Sequence, residues 1–338
     1  MVYNEIVNIK KKGGENMRNT INYEENPAIL NDFLEYLRNM RNYSIGTIQG
    51  YENDLNIFFR FILKYKNIEI SFSEITIFTI FQITKSDIIA YLVYLNYYKS
   101  NCSITRKRKI AAIKTFFKWI YINVPGIKKE NPTIDIPIIQ SIVRLPKYLS
   151  LKEAKTIQNI FNKRNCIYYI RNNTIITLFL TTGIRLNELI NIKLQDINFE
   201  KKSINIVCKG NKERVVYFSE HCKKQLLEYL DIRNNANCKE DFLFLSNQNK
   251  RISKGSVEYI CKKAYKLMGL ESKNYTVHTL RHTAATIYFE FNNRDILLLK
   301  EILGHSTILS TEIYTHTYNN LVKEAINKNP LNNFVKVA

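Results

Sequence analysis

Near the C-terminal end of the chain, His278-Thr279-Leu280-Arg281-His282, Leu303-Gly304-His305-Ser306 and Tyr314 follow one another at short intervals. His278 and Arg281 are three apart, so on a helix they share one face. Leu280, Ala284 and Ile287 lie on another face that can be buried. Gly304 ends the apolar run 296–303 as a glycine closes a helix, leaving His305 just past that end. Ser306 can cap a following helix that carries Tyr314. A phenol, with a pKa of about 10, is a poor nucleophile at neutral pH. It becomes useful when a base takes its proton and cations neutralise the group it attacks. Arginine suits a phosphate because its planar fork binds two oxygens at once. The set fits a tyrosine that attacks a phosphodiester. It fits equally a basic surface beside an ordinary core tyrosine.

The rest of the chain has to position these groups. Its 338 residues suit two domains, and 45% hydrophobic residues can build two cores. Fifty basic residues against 30 acidic ones leave a net charge of +20, which favours a polyanionic partner. No uncharged apolar run is long enough to span a bilayer, so a membrane partner is not expected. Residues 1–22 carry Glu5 and Glu15 and no apolar core of a signal peptide, which fits a cytoplasmic location. Six widely spaced cysteines without a CxxC pair argue against a disulfide scaffold and a zinc site.

Residues 1–25 read as a flexible tail. A helical region follows over 26–124. Ile29, Phe33, Tyr36 and Leu37 form one stripe, and Ser44 caps a second helix bearing Ile48, Tyr51, Leu55, Phe58 and Ile62. Thr84 to Asp87 is a capping-box-like start for a third. The fourth, from near Ser103 to Trp119, sets Ile110, Ile113, Phe117 and Ile120 on one side. Lys107, Lys114 and Lys118 fall on a stripe about 100° away. Such a helix can lie along a phosphate backbone, or the lysines can be a solvated face. Four of the six prolines lie between Pro125 and Pro146, marking 125–147 as a linker.

Ser150 and Glu153 make a capping box that opens a second domain over 148–326, followed by a tail over 327–338. Arg185 sits in the turn after Gly183, and Glu188 is the candidate partner that would hold it, beside the blander reading of a surface ion pair. Ser203–Val207 alternates, 214–218 is rich in β-formers, and Gly210-Asn211 lies between. This predicts a hairpin whose tip carries Lys209 and Lys212. Helices are then expected over 256–267, 277–289, 295–303 and from 308 onward. His282 is expected to be a structural histidine packed beneath the site.

Arg185 within Gly183-Ile184-Arg185-Leu186-Asn187-Glu188, Lys209 on the hairpin, His278-x-x-Arg281, Leu303-Gly304-His305-Ser306 and Tyr314 together resemble the active-site set of tyrosine recombinases, the phage-type integrase family, and most closely its Xer-like bacterial branch. Five motifs in order are far more specific than any one alone. The resemblance covers residues 26 to 326. It implies a mainly α fold with a small β-sheet (α+β). A helical, SAM-like core-binding domain would stand beside a C-terminal catalytic domain, the two forming a clamp around DNA. It also implies roles. Tyr314 would attack the scissile phosphate and form a 3′-phosphotyrosyl link. Arg185 and Arg281 would clamp the non-bridging oxygens, and His305 would add a hydrogen bond. His278 would be the general base and Lys209 the general acid, with Lys212 its competitor.

Neither metal, ATP nor other cofactor is implied. The partner would be double-stranded DNA with inverted-repeat target sites, bound by a tetramer, alone or with a paralogous recombinase. Asn187, where serine is common, and Tyr217-Phe218, where proline often follows the hairpin, depart from the family pattern without touching the chemistry. The first 25 residues leave no room for an arm-binding domain, which argues against the larger phage-type integrases. Two rivals remain: relaxation of DNA in the manner of a type IB topoisomerase, and a catalytically silent DNA-binding regulator.

Overall fold

The apolar stripes of the N-terminal region become five helices: α1 (Ala28–Asn39), α2 (Ile45–Tyr65), α3 (Ile77–Phe81), α4 (Lys85–Tyr97) and α5 (Ser103–Asn123). The computed structural model describes residues 23–124, 130–137, 139–140, 146–166, 168–207, 213–234, 240–292 and 295–304. The chain divides into two units, Met1–Val143 and Arg144–Ala338.

In the first unit, Leu30, Phe33, Leu34 and Leu37 of α1 are buried against Ile48, Leu55, Phe58 and Ile62 of α2 and Ile110, Ile113, Phe117 and Ile120 of α5. Phe116 meets Phe33 and Phe59 edge-on, at centroid distances of 5.2 and 5.3 Å. The Thr84 box forms: Thr84 N donates to Asp87 Oδ2 at 2.8 Å, and Asp87 N donates to Thr84 Oγ1 at 3.3 Å. Ser44 occupies the N-cap of α2, but its hydroxyl meets that of Thr47 at 2.9 Å rather than a backbone N–H. The short α3 was not expected; five residues are too few to show a period. Against α5 the buried carboxylate of Asp54 has two basic partners, Lys109 buried and Arg108 exposed. Lys109 Nζ donates to Asp54 Oδ1 at 2.9 Å, and Arg108 pairs with the other oxygen of the same carboxylate.

The second unit contains α6 (Leu151–Ile157), α7 (Tyr169–Thr182), α8 (Leu186–Leu189), β1 (Ile197–Asn198), β2 (Ser203–Val207), β3 (Glu213–Tyr217), α9 (Glu220–Asn234), α10 (Lys254–Leu267), α11 (Val277–Phe291) and α12 (Ile296–Leu303). The expected hairpin is an antiparallel pair running from Ser203↔Tyr217 to Val207↔Glu213, and β1 adds a third strand. Ile204, Ile206 and Val216 are buried. The Ser150–Glu153 box caps α6, and Leu149 N donates to Thr283 Oγ1 at 2.9 Å, tying that start to α11. Helix α7 packs against α9 and α11, and its residues 172–180 are buried without a break. Helix α9 is absent from the sequence reading because it buries only Cys222, Leu226, Tyr229 and Arg233, a narrow stripe among charged residues.

Asp54→Ala would leave Lys109 buried without its carboxylate. We expect a loss of about 3–5 kcal/mol, the range for breaking a buried pair. An unchanged midpoint in chemical denaturation would show that Lys109 needs no counter-charge.

Candidate active site

Two helices end at the site. Helix α7 closes at Gly183 (φ 62°) and α12 at Gly304 (φ 60°), both left-handed, as expected for Gly304 from the sequence. A Cβ on Gly183 would lie 2.9 Å from Leu303 Cδ2, and one on Gly304 only 2.6 Å from Arg214 Cδ. Each glycine therefore permits both a turn and a close approach.

The last carbonyls of a helix have no intrahelical partner and sit at the negative end of its dipole. At the end of α12 three arginines supply the missing donors. Arg214 Nη1 donates to Ile302 O at 2.8 Å, Arg281 Nη2 to Leu303 O at 2.8 Å and Arg185 Nη2 to Gly304 O at 3.1 Å. Arg281 Nη1 also donates to Gly183 O, joining the ends of α7 and α12.

Glu188 anchors two of these arginines. Arg185 donates to it from its backbone N (2.9 Å, Oε2) and from Nη1 (2.8 Å, Oε1), and Arg214 Nη2 donates to Oε2 at 2.8 Å. The Glu188 side chain is 6% exposed and that of Arg185 36%, so the pair is rooted inside with one guanidinium reaching out. Burial alone would push the Glu188 carboxyl up. The charge of Arg214 and the hydrogen bonds from Arg185 and Arg214 outweigh it, bringing the pKa down to about 2.

Arg281 is only 6% exposed, as buried as Val277 of the same helix, while His278 at the start of that helix is exposed. His282 is half-buried, and its pKa is lowered by burial and then by the charges of His278 and Arg281. Lys209, Lys212, His305 and Tyr314 lie outside the described residues. A cleft of about 440 Å³ borders His278 and Leu186.

Arg214 was missed by the sequence reading. It lies in a strand-like run, and nothing local marks it as a partner of Glu188. A second omission is a cleft of about 1060 Å³ that shares no lining residue with the cluster of Arg185, Arg214 and Arg281; Lys163, Arg164, Arg171, Lys250, Arg251 and Lys263 line it, with no acidic residue. The paired Lys163-Arg164 and Lys250-Arg251 were its only trace in the sequence. In the first unit Lys107 and Lys118 are exposed. Lys114 is half-buried, and its Nζ donates to Ile136 O at 3.0 Å, so the three lysines do not form one uniform free stripe. Among the described residues no group of His, Cys, Asp and Glu has the makeup of a metal site, and no helix is long and apolar enough to cross a membrane.

The model of the phage integrase family matches residues 147–320, and that of the phage integrase N-terminal SAM-like domain matches residues 30–122. The tyrosine recombinase XerC of Caldanaerobacter subterraneus subsp. tengcongensis is 39% identical over 314 residues, covering 90% of this chain and 87% of its own. The tyrosine recombinase XerC of Leptospira interrogans is 30% identical, covering 88% and 91%. Among solved structures, XerH site-specific recombinase bound to its difH substrate, in a pre-cleavage complex, superposes with a TM-score of 0.65. It is 23% identical, covering 87% of this chain and 83% of that one, a likeness of fold.

The depressed carboxyl of Glu188 carries a pH signature. Its stabilisation is fully present above the ordinary value of 4.5 and is lost as pH falls towards about 2. The shift corresponds to on the order of 3 kcal/mol. Glu188→Gln should therefore be less stable than the native chain at neutral pH, by up to that order, and the gap should narrow as the solution is acidified. A gap in urea midpoint that stays constant down to acid pH would contradict the assignment.

Proposed function

We infer the chemistry from one premise: the chain belongs to the phage integrase family and is a site-specific tyrosine recombinase, a DNA strand-transferase. On this reading Tyr314 attacks the scissile phosphate and forms a 3′-phosphotyrosyl link, releasing a 5′-hydroxyl. Arg185 and Arg281 bind the non-bridging oxygens, His305 adds a hydrogen bond, His278 takes the tyrosine proton, and Lys209 protonates the leaving oxygen, with Lys212 as the competing acid. The observation that carries this is the meeting of Arg185 and Arg281, distant in sequence, at the adjacent carbonyls of Gly304 and Leu303, one residue before His305.

Charge supports the same reading. Among the described residues of this cluster, Arg185, Arg214 and Arg281 stand around one carboxylate, that of Glu188. A phosphodiester contributes one negative charge, and more builds on its oxygens in the transition state, where preformed donors count most. The ester conserves the energy of the broken bond, so rejoining calls for no ATP, and guanidinium and imidazole groups supply the charge neutralisation without a metal ion. The type IB topoisomerase reading and the silent-regulator reading gain no support from the family or the relatives.

The XerH structure holds its difH substrate, which supports double-stranded DNA as the partner here, and the family resemblance implies inverted-repeat target sites. Lys107 and Lys118 on α5 and the basic cleft beside α10 would contact its phosphates. Four protomers, alone or with a paralogous recombinase, would exchange strands in pairs between two sites, in the bacterial cytoplasm at the nucleoid.

Tyr314→Phe keeps the ring and removes the hydroxyl. On a nicked suicide substrate it should bind DNA as the native chain does and give no covalent adduct. Adduct at normal yield from this variant would exclude Tyr314 as the nucleophile.

A further inference from the structure

Arg214 is the second residue of β3, and its side chain is 13% exposed, against 36% for Arg185. It spans two elements. Nη2 donates to Glu188 Oε2 and Nη1 to Ile302 O, each at 2.8 Å. Arg185 makes the parallel connection, from Glu188 Oε1 to Gly304 O. The two arginines, the shared carboxylate and the last turn of α12 thus form a closed ring of contacts. Within it Arg214 is the inner member, too enclosed to meet a DNA phosphate, and Arg185 is the outer one. The Nε of Arg214 is buried and has no hydrogen-bond partner among the described residues, so the side chain is set by its two Nη bonds. The end of α12 lies so close over it that a Cβ on Gly304 would come within 2.6 Å of Cδ. In sequence, β3 begins shortly after Lys209, and Gly304 alone separates α12 from His305.

We propose that Arg214 is a positioning residue for strand cleavage: by bridging Glu188 and the last turn of α12 it sets where Arg185 meets the scissile phosphate. The proposal rests on Arg185 and Arg281 being the phosphate clamp. The bland alternative is that Arg214 only neutralises a buried carboxylate and serves stability. The two differ in what a lysine can do. An ammonium at this position restores the charge but cannot reproduce a planar fork whose separate nitrogens reach two acceptors on two elements. A neutralising role is satisfied by lysine, and a positioning role is not.

Single-turnover cleavage of a suicide substrate at saturating DNA, read beside half-site affinity and thermal melting, decides between them. Arg214→Met should cleave about 10- to 100-fold more slowly, the size of effect that a small misplacement produces, with half-site affinity within about threefold of native. Arg214→Lys should melt near the native temperature yet cleave at a rate between those of the native chain and Arg214→Met. Arg214→Met combined with Glu188→Gln should cleave no more slowly than the slower single variant, because both remove one connection. If Arg214→Met does not fold, Arg214→Lys decides alone: folded with slowed cleavage supports the proposal, and native-rate cleavage overturns it. The proposal also falls if Arg214→Met cleaves at the native rate, if binding and cleavage fall together, or if the double variant shows additive losses. Failure of the underlying clamp is seen separately: Arg185→Ala would then cleave like the native chain whatever Arg214 does.

Discussion

The last turn of α12 accepts hydrogen bonds from three arginines, and the rest of the site depends on that. A helix end presents orphan carbonyls and a partial negative charge. Here the donors are Arg185, Arg214 and Arg281, which come from the start of α8, from β3 and from α11. The one arrangement satisfies the end of α12, orders three cations and joins four elements. It also holds positive charge together before any anion arrives, which is the kind of preorganisation that stabilises a transition state. Two left-handed glycines make it possible. Gly183 lets the end of α7 approach Leu303, and Gly304 lets Arg214 approach α12.

Like charges so close need a counter-charge, and Glu188 supplies it from inside. Its carboxyl stays ionised despite burial because Arg214 faces one oxygen while Arg185 donates to both. Arg185 is thereby held at its root and left partly exposed at its head. Arg281 is held differently, by the carbonyls of Gly183 and Leu303. His282, half-buried beside Arg281 and His278, has its proton affinity lowered by burial and by both neighbours, which limits further positive charge at the base of the site.

Local features were the legible part of the fold. The Thr84 and Ser150 boxes, the closing glycines and the pairing of Arg185 with Glu188 each span three or four residues, so sequence spacing alone reveals them. The hairpin strands were legible because alternation survives where one face is buried. Long-range partners were not. Arg214 finds Glu188 and Ile302 across 26 and 88 residues, and the six basic residues of the large cleft come from two separate stretches. The spacing of His278 and Arg281 was right for one face, yet Arg281 is buried, because α11 is enclosed on most sides and a helical wheel cannot separate a polar core position from an apolar one. Lys114 looked free because its acceptor, Ile136, lies beyond the end of its own helix.

The central claim is that Arg185 acts on negative charge at the scissile phosphate, not merely on DNA as a polyanion. The direct measurement compares native chain and Arg185→Ala in single-turnover cleavage of two substrates, one with an ordinary scissile phosphate and one with a methylphosphonate there, which lacks the negative charge. On the ordinary phosphate the variant should lose on the order of 10²-fold or more. On the methylphosphonate the loss should shrink by at least about tenfold, since the charge it would neutralise is gone. An equal deficit on both substrates would contradict the account.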